Sequence, residues 1–175
     1  MHRNWRFFIL VVAVAVAVDA ATKAWALGAL QHRVTVPALG GLLPLTLSFN
    51  RGIAFGLNVG PASRAVFAAL TLVVLGVAVA LYAATPAARR VQRLALCLMC
   101  AGAIGNLADR IFRPRGVVDF IGPYDLGFMI WPIFNVADCY VVIGTLGFAV
   151  ALWWTRRRDA QTSQPAGREP GPGPA

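Results

Sequence analysis

The run FFILVVAVAVAVDAATKAWALGAL, Phe7 to Leu30, decides how the rest of the chain is read. It is apolar from Phe7 to Val18, meets Asp19 and Lys23, and turns apolar again from Ala24 to Leu30. Two readings compete. As a secretory signal, Met1 to Arg6 is a basic n-region, Phe7 to Val18 an apolar h-region, and Ala20 and Ala21 are small enough for cleavage. As a membrane span, the resumed apolar run makes one longer helix, and about 20 such residues cross a hydrocarbon core. The span is the expectation. A mature chain beginning near Ala21 would overturn it.

Composition extends that reading outward. Of 175 residues, 58% are hydrophobic and 13% charged, roughly half the charge of an ordinary soluble domain. Such a chain cannot cover a globular surface with polar groups. Three cysteines are too few, and odd in number, for a small disulfide scaffold. The net charge of +9 does not point to nucleic acid, because the bases sit in short clusters between apolar runs and form no single basic face. The fold class expected is a membrane all-α bundle of four transmembrane helices in one domain, residues 1–154. Its spans are roughly Phe7 to Leu30, Val66 to Ala84, Leu94 to Ala108 and Phe134 to Trp154. Outer loops fill 31–65 and 109–133, and 155–175 reads as a disordered cytoplasmic tail.

The arginines orient it. Arg3 and Arg6, Arg89, Arg90 and Arg93, and Arg156 to Arg158 flank span ends densely on one side, which places both termini in the cytoplasm. Asp19, Asp109, Asp119, Asp125 and Asp138 all fall in or near the opposite, outer half. In the loops, Val34 to Val36 and Leu45 to Phe49 alternate as short strands do, suited to resting on the bilayer or clasping an apolar ligand. Phe128 to Trp131 suits the interface. Gly76 is a place where a neighbouring helix can approach. Cys97, Cys100 and Cys139 read as small apolar fillers.

An acid deep in a span is expensive, about 2.5 to 3.5 kcal/mol on insertion scales. Asp19 has Lys23 four residues on, and an internal ion pair is the structural reading. Asn106, Asp109 and Arg110 share one face at the end of span three. Asn135 and Asp138 open span four, where a helix cap and the helix dipole offer an account without chemistry. Asp119, set between Val117-Val118 and Phe120-Ile121, is poorly placed for a solvated charge. Two carboxylates brought together at a low-dielectric bundle end share one proton. The ionised member can then activate a water while the protonated member polarises a scissile carbonyl. That chemistry needs no metal, nucleophilic serine or histidine, and His2 and His32 are far from the acids in sequence. A Mg²⁺ site from Asp109, Asp119 and Asp138 is conceivable, but Arg110 disfavours it. The rivals are a proton or cation carrier, since intramembrane acids often relay ions, and a membrane scaffold, which leaves the acids unexplained.

At these residues the sequence resembles the lipoprotein signal peptidases (signal peptidase II), membrane aspartyl peptidases of bacteria. The matching segments run in family order: Asp19 to Lys23, Phe49-Asn50-Arg51-Gly52-Ile53-Ala54-Phe55-Gly56, Gly102 to Arg110, Val117 to Phe120, and Phe134 to Asp138. The resemblance implies a catalytic pair, Asp119 and Asp138. It places Asn50, Asn106, Arg110 and Asn135 against the substrate, with Asp19, Lys23, Gly52 and Asp109 in support. It implies no cofactor. The substrate would be a diacylglyceryl-modified prolipoprotein, cut just before its lipidated cysteine, and a globomycin-type cyclic peptide would inhibit. The fold would add an outer β-cradle and a small surface helix, with which Phe128 to Trp131 agrees. The expected setting is the bacterial inner membrane, as a monomer among membrane lipid, with the site near the outer face.

Overall fold

The computed structural model describes residues 2–51 and 62–162. Four helices dominate it: α1 (His2–Ala29), α2 (Ser63–Ala84), α3 (Arg90–Phe112) and α4 (Val136–Thr162). Each is long and apolar enough to cross a membrane. Even α2, with 22 residues, reaches about 33 Å at 1.5 Å per residue, against a core of about 30 Å. The helices are not equivalent. Within their apolar windows α3 is 61% buried, whereas α2 and α4 are 11% buried. Helix α3 is the centre, packed on α1, α2 and α4.

Small residues make that possible. A Cβ on Gly102 would lie 2.3 Å from the Ala137 carbonyl oxygen, and one on Gly144 would lie 2.7 Å from that of Ala95. The backbones of α3 and α4 therefore meet where only glycine fits, the small-residue packing expected in lipid. Gly76, expected to admit a neighbour, has nothing within 4 Å of its would-be Cβ, because α2 lies at the periphery.

Two spans are longer than the sequence suggests. The third was expected from Leu94 to Ala108, but α3 begins at Arg90 because its polar first turn finds partners. Gln92 Nε2 donates to Thr155 Oγ1 at 3.0 Å and the Ala151 carbonyl at 3.3 Å. Arg93 is buried rather than flanking the span, its guanidinium 4.2 Å over the Tyr82 ring. The fourth was expected to end at Trp154 before a disordered tail. Instead α4 continues to Thr162, with Thr155 held by Gln92 and Arg157 stacked 4.0 Å over Trp153. Residues 163–175 lie outside the described residues.

At the termini end, Val12 and Ala15 of α1, Ala78 and Tyr82 of α2, and Leu96, Cys97, Cys100 and Ala101 of α3 form one apolar cluster. The two cysteines fill space there, as expected. At the opposite end a three-stranded antiparallel sheet caps the bundle in the order β1 (Thr35–Ala38), β2 (Leu43–Asn50), β3 (Val117–Ile121). A 3₁₀ turn at Leu39–Gly41 joins the first two strands, with Gly40 at φ 67°. The strand pair rests on protein: Leu45 and Leu47 pack with Val118, Phe120, Ala26 of α1 and Leu30 just beyond its end. Strand β3, which the sequence presents only as loop, places Val118 opposite Phe49 and Asp119 opposite Ser48. Phe128 to Trp131, expected as a surface helix, instead belongs to a hairpin of β4 (Tyr124–Asp125) and β5 (Ile130–Trp131). Gly122-Pro123 and Gly127 leave too short a run there for a helix, yet Phe128 and Ile130 stay exposed.

Candidate active site

The site is assembled from α1 outward. Asp19 and Lys23 stand one turn apart and are both buried, with Lys23 Nζ 2.8 Å from Asp19 Oδ2. Lys23 Nζ also lies 3.0 Å from Asp109 Oδ2 and donates to Asn106 Oδ1 at 3.1 Å. All three ammonium protons thus have acceptors. The other Asp19 oxygen accepts the Ala137 N–H at 2.9 Å, at the start of α4. Asp109 is equally engaged: Arg113 Nε donates to one oxygen at 2.7 Å and the Val118 N–H to the other at 3.2 Å. One buried ion cluster therefore ties α1, α3, α4 and β3 together.

On that base stand two asparagines. Asn106 accepts from Lys23 and donates through Nδ2 to Asp138 Oδ1 at 2.7 Å. Asn135 donates through Nδ2 to Asp119 Oδ1 at 2.6 Å and to Asn106 Oδ1 at 3.1 Å. Asn135 also caps α4: its Oδ1 accepts the Asp138 N–H at 3.0 Å, while its own N–H donates to Asp138 Oδ2 at 3.1 Å. This is a reciprocal cap of the Ser/Thr-to-Glu type. The cap and the site are the same residues. Asp119 is 3% exposed, and the Asn50 side chain on β2 also hydrogen-bonds it. Arg110 donates through Nη1 to the Asn106 carbonyl at 3.2 Å, within electrostatic reach of Asp138, Asp119 and Asp109. The fold thus gathers nine of the sequence's candidates: Asp19, Lys23, Asn50, Asn106, Asp109, Arg110, Asp119, Asn135 and Asp138. Gly52, with the Ile53 to Gly56 segment, lies outside the described residues.

Comparison with known proteins decides the family. A sequence model of the family described as signal peptidase (SPase) II matches residues 11–154. The chain is 38% identical over 142 residues to the lipoprotein signal peptidase of Clostridium acetobutylicum, covering 81% of this chain and 90% of that one. It is 34% identical over 165 residues to the lipoprotein signal peptidase of Xylella fastidiosa strain M12, covering 92% and 96%. The chain belongs to the signal peptidase II family. A solved structure described as a bacterial membrane enzyme, determined in meso at 2.3 Å, superposes with a TM-score of 0.75 at 26% identity, covering 93% of this chain and 94% of that one. Signal peptidase II membership makes this chain a peptidase of the bacterial inner membrane, multi-pass, that removes signal peptides from prolipoproteins.

Within this signal peptidase II fold, the Asp119 carboxyl is pushed up to about 7, chiefly by burial and then by the charge of Asp138. The Asn135 hydrogen bond, the Lys23 charge and the Asn50 hydrogen bond oppose the rise. Both carboxylates are thus held by donors yet repel each other, the condition under which a pair retains one proton.

Several contributors escape a sequence reading. A Cβ at Gly105 would sit 2.4 Å from Asp19 Oδ2, so that glycine makes room for the ion cluster. Gly116 has φ 105°, and a Cβ there would meet the Asn50 carbonyl at 2.4 Å. His32, remote from the acids in sequence, lines the same cavity as Asp119, a space of about 630 Å³. The chain folds back there, with a bridge pairing His32 to Leu47. The alternation of β2 is the signal that could have found its polar face, since Ser48 and Asn50 point the same way.

Proposed function

We propose that this chain is an aspartic endopeptidase that cuts diacylglyceryl-modified prolipoproteins just before the lipidated cysteine, with Asp119 and Asp138 as its acid–base pair. The observation that carries the reading is the bridge Asp119–Asn135–Asn106–Asp138, which brings a buried and a half-buried carboxyl group from different elements to one end of the bundle. The ionised member takes a proton from a water attacking the scissile carbonyl. The protonated member donates to the carbonyl oxygen as the tetrahedral intermediate forms, and collapse passes a proton to the leaving amine. Asn106 and Asn135 fix the orientation of both carboxyl groups. Asn50 and Arg110 are the groups nearest a substrate backbone. Asp109 acts as a brace, because Lys23, Arg113 and the Val118 N–H take up its oxygens.

The membrane supplies the rest. Each buried CH₂ of the acyl chains contributes about 0.8 kcal/mol to anchoring, so the scissile bond is held at the interface. The acids lie at the bundle end opposite Arg89, Arg90 and Arg156 to Arg158, which supports cytoplasmic termini and an outer-face site. A globomycin-type cyclic peptide would occupy the pair. The chain would act as a monomer.

The test uses purified protein in micelles, given a diacylglyceryl-modified precursor and its unlipidated counterpart. Only the modified one is expected to be cut. Asp119→Asn or Asp138→Asn is expected to lower kcat/KM by about 10³-fold or more, measured per folded molecule on protein that remains folded and monodisperse. Full activity in either variant would end the assignment.

A further inference from the structure

The cavity onto which Asp119 opens carries charge that hydrolysis does not use. Arg33, Arg51, Arg115 and His32 line it, and Asp119 is the one carboxylate among the described residues that line it. These side chains are organised. The Arg115 guanidinium lies 4.0 Å over the Phe49 ring, and the same ring lies 5.5 Å from the ring of His32. The His32 Nδ1 lies 3.2 Å from the Leu47 carbonyl oxygen. Arg33 has φ 61°, a left-handed conformation that few non-glycine residues adopt, and its N–H is fixed on the Leu47 carbonyl at 3.0 Å. Among the described residues no carboxylate pairs with Arg33, Arg51 or Arg115. About 630 Å³ is within the range of sites that hold a small ligand or a few residues.

We propose that this basic cavity receives the stretch of precursor following the lipidated cysteine and favours precursors carrying acidic side chains there. The inference rests on the peptidase reading and adds a substrate class to it. Continuity argues for a peptide: the cavity is walled by Ser48, Phe49 and Asn50 of β2 and runs up to Asp119, so a chain crossing the acid pair enters it. Charge complementarity argues for the acid. Three arginines facing one carboxylate leave a positive field that steers and holds anionic groups.

Three synthetic diacylglyceryl precursors test it, identical except for Asp-Asp, Asn-Asn or Lys-Lys directly after the cysteine, in micelles of zwitterionic lipid. At about 20 mM salt the expected order of kcat/KM is acidic, neutral, basic, with the acidic one about fivefold above the neutral, since exposed ion pairs each contribute little. At about 0.5 M salt the ratio is expected to fall below about two. In the double variant Arg51→Gln, Arg115→Gln the ratio is expected to approach one. The ratio is taken within each variant, so a reduced folded fraction cancels. Equal kcat/KM for the three precursors in the unmodified chain overturns the proposal. So does a rate that depends on added anionic lipid and not on precursor charge, which would make the cavity a headgroup site. Failure to cut any of the three strikes the peptidase reading itself and takes this proposal with it.

Discussion

At the bundle end that carries the termini, α1, α2 and α3 meet through Val12, Ala15, Ala78, Tyr82, Leu96 and two cysteines, with Trp5 and Phe8 packed at the margin. At the other end the same α1 and α3 meet through Asp19, Lys23, Asn106 and Asp109, and the contacts among these four are hydrogen bonds and ion pairs of 2.8 to 3.1 Å. Dispersion contacts are numerous, weak and non-directional, so the first end fixes that the helices touch. Buried polar contacts are few and directional, and each loss leaves a partner unpaired. The second end fixes where named oxygens point. The acid pair proposed for Asp119 and Asp138 needs that kind of precision, and the cluster beneath it supplies it.

The comparison makes its largest prediction at Asp19. Asp19→Ala removes one of the two carboxylates facing Lys23 and strands the Ala137 N–H. Breaking a buried ion pair from one side costs about 3 to 5 kcal/mol, enough to threaten folding of a small bundle. The yield of folded protein is expected to fall more than the turnover of each folded molecule, measured by active-site titration of the monodisperse fraction. Normal yield with dead catalysis would mean that Asp19 acts on the reaction and that the two ends are not divided as described.

A smaller effect is expected at the apolar end. Leu96, fully buried, sits in the cluster with no polar duty. Leu96→Ala is expected to cost about 2 kcal/mol, near the low end for such truncations, because inside lipid the loss is of packing rather than of transfer from water. The unfolding midpoint should drop while kcat/KM per folded molecule stays within about twofold. A large loss of kcat/KM would show that apolar packing also sets the acid geometry.

The same division explains what could be read before any coordinates. Four spans were legible because apolar length is a one-dimensional property, and the acids were legible because lipid makes each one costly. Strand β3 was not, since five residues around Asp119 become a strand only when Phe49 and Ser48 lie alongside. The continuation of α4 past Trp154 hangs on Gln92, 63 residues away from Thr155. Gly76 and Gly144 look alike in sequence, and only the packing around α3 separates a lipid-facing glycine from a contact point. Asn135 reads correctly as a helix cap, but its second donation, to Asp119, depends on a loop closing over it. His32 joined the site through one backbone bridge that no motif announces.

The last prediction concerns protons, and its sign follows from Asp119. Its carboxyl sits at about 7 in the folded chain and near 3.9 when unfolded. Between those values the folded state holds a proton that the unfolded state releases. The associated stability is fully present below pH about 4 and is lost as pH rises through about 7. The unfolding midpoint is therefore expected to decline from pH 5 to pH 8, with a shallower decline in Asp119→Asn. Leu96→Ala should lower the midpoint by a similar amount at each pH, because the side chain it removes does not titrate. For catalysis the singly protonated pair is depleted on the basic side, so kcat/KM should fall toward tenfold per pH unit above about 7. That limb belongs to the two acids jointly and not to either one. A midpoint that rises over this range, or an activity profile that is flat to pH 9, would show that the sheet-capped end is not governed by a shared proton.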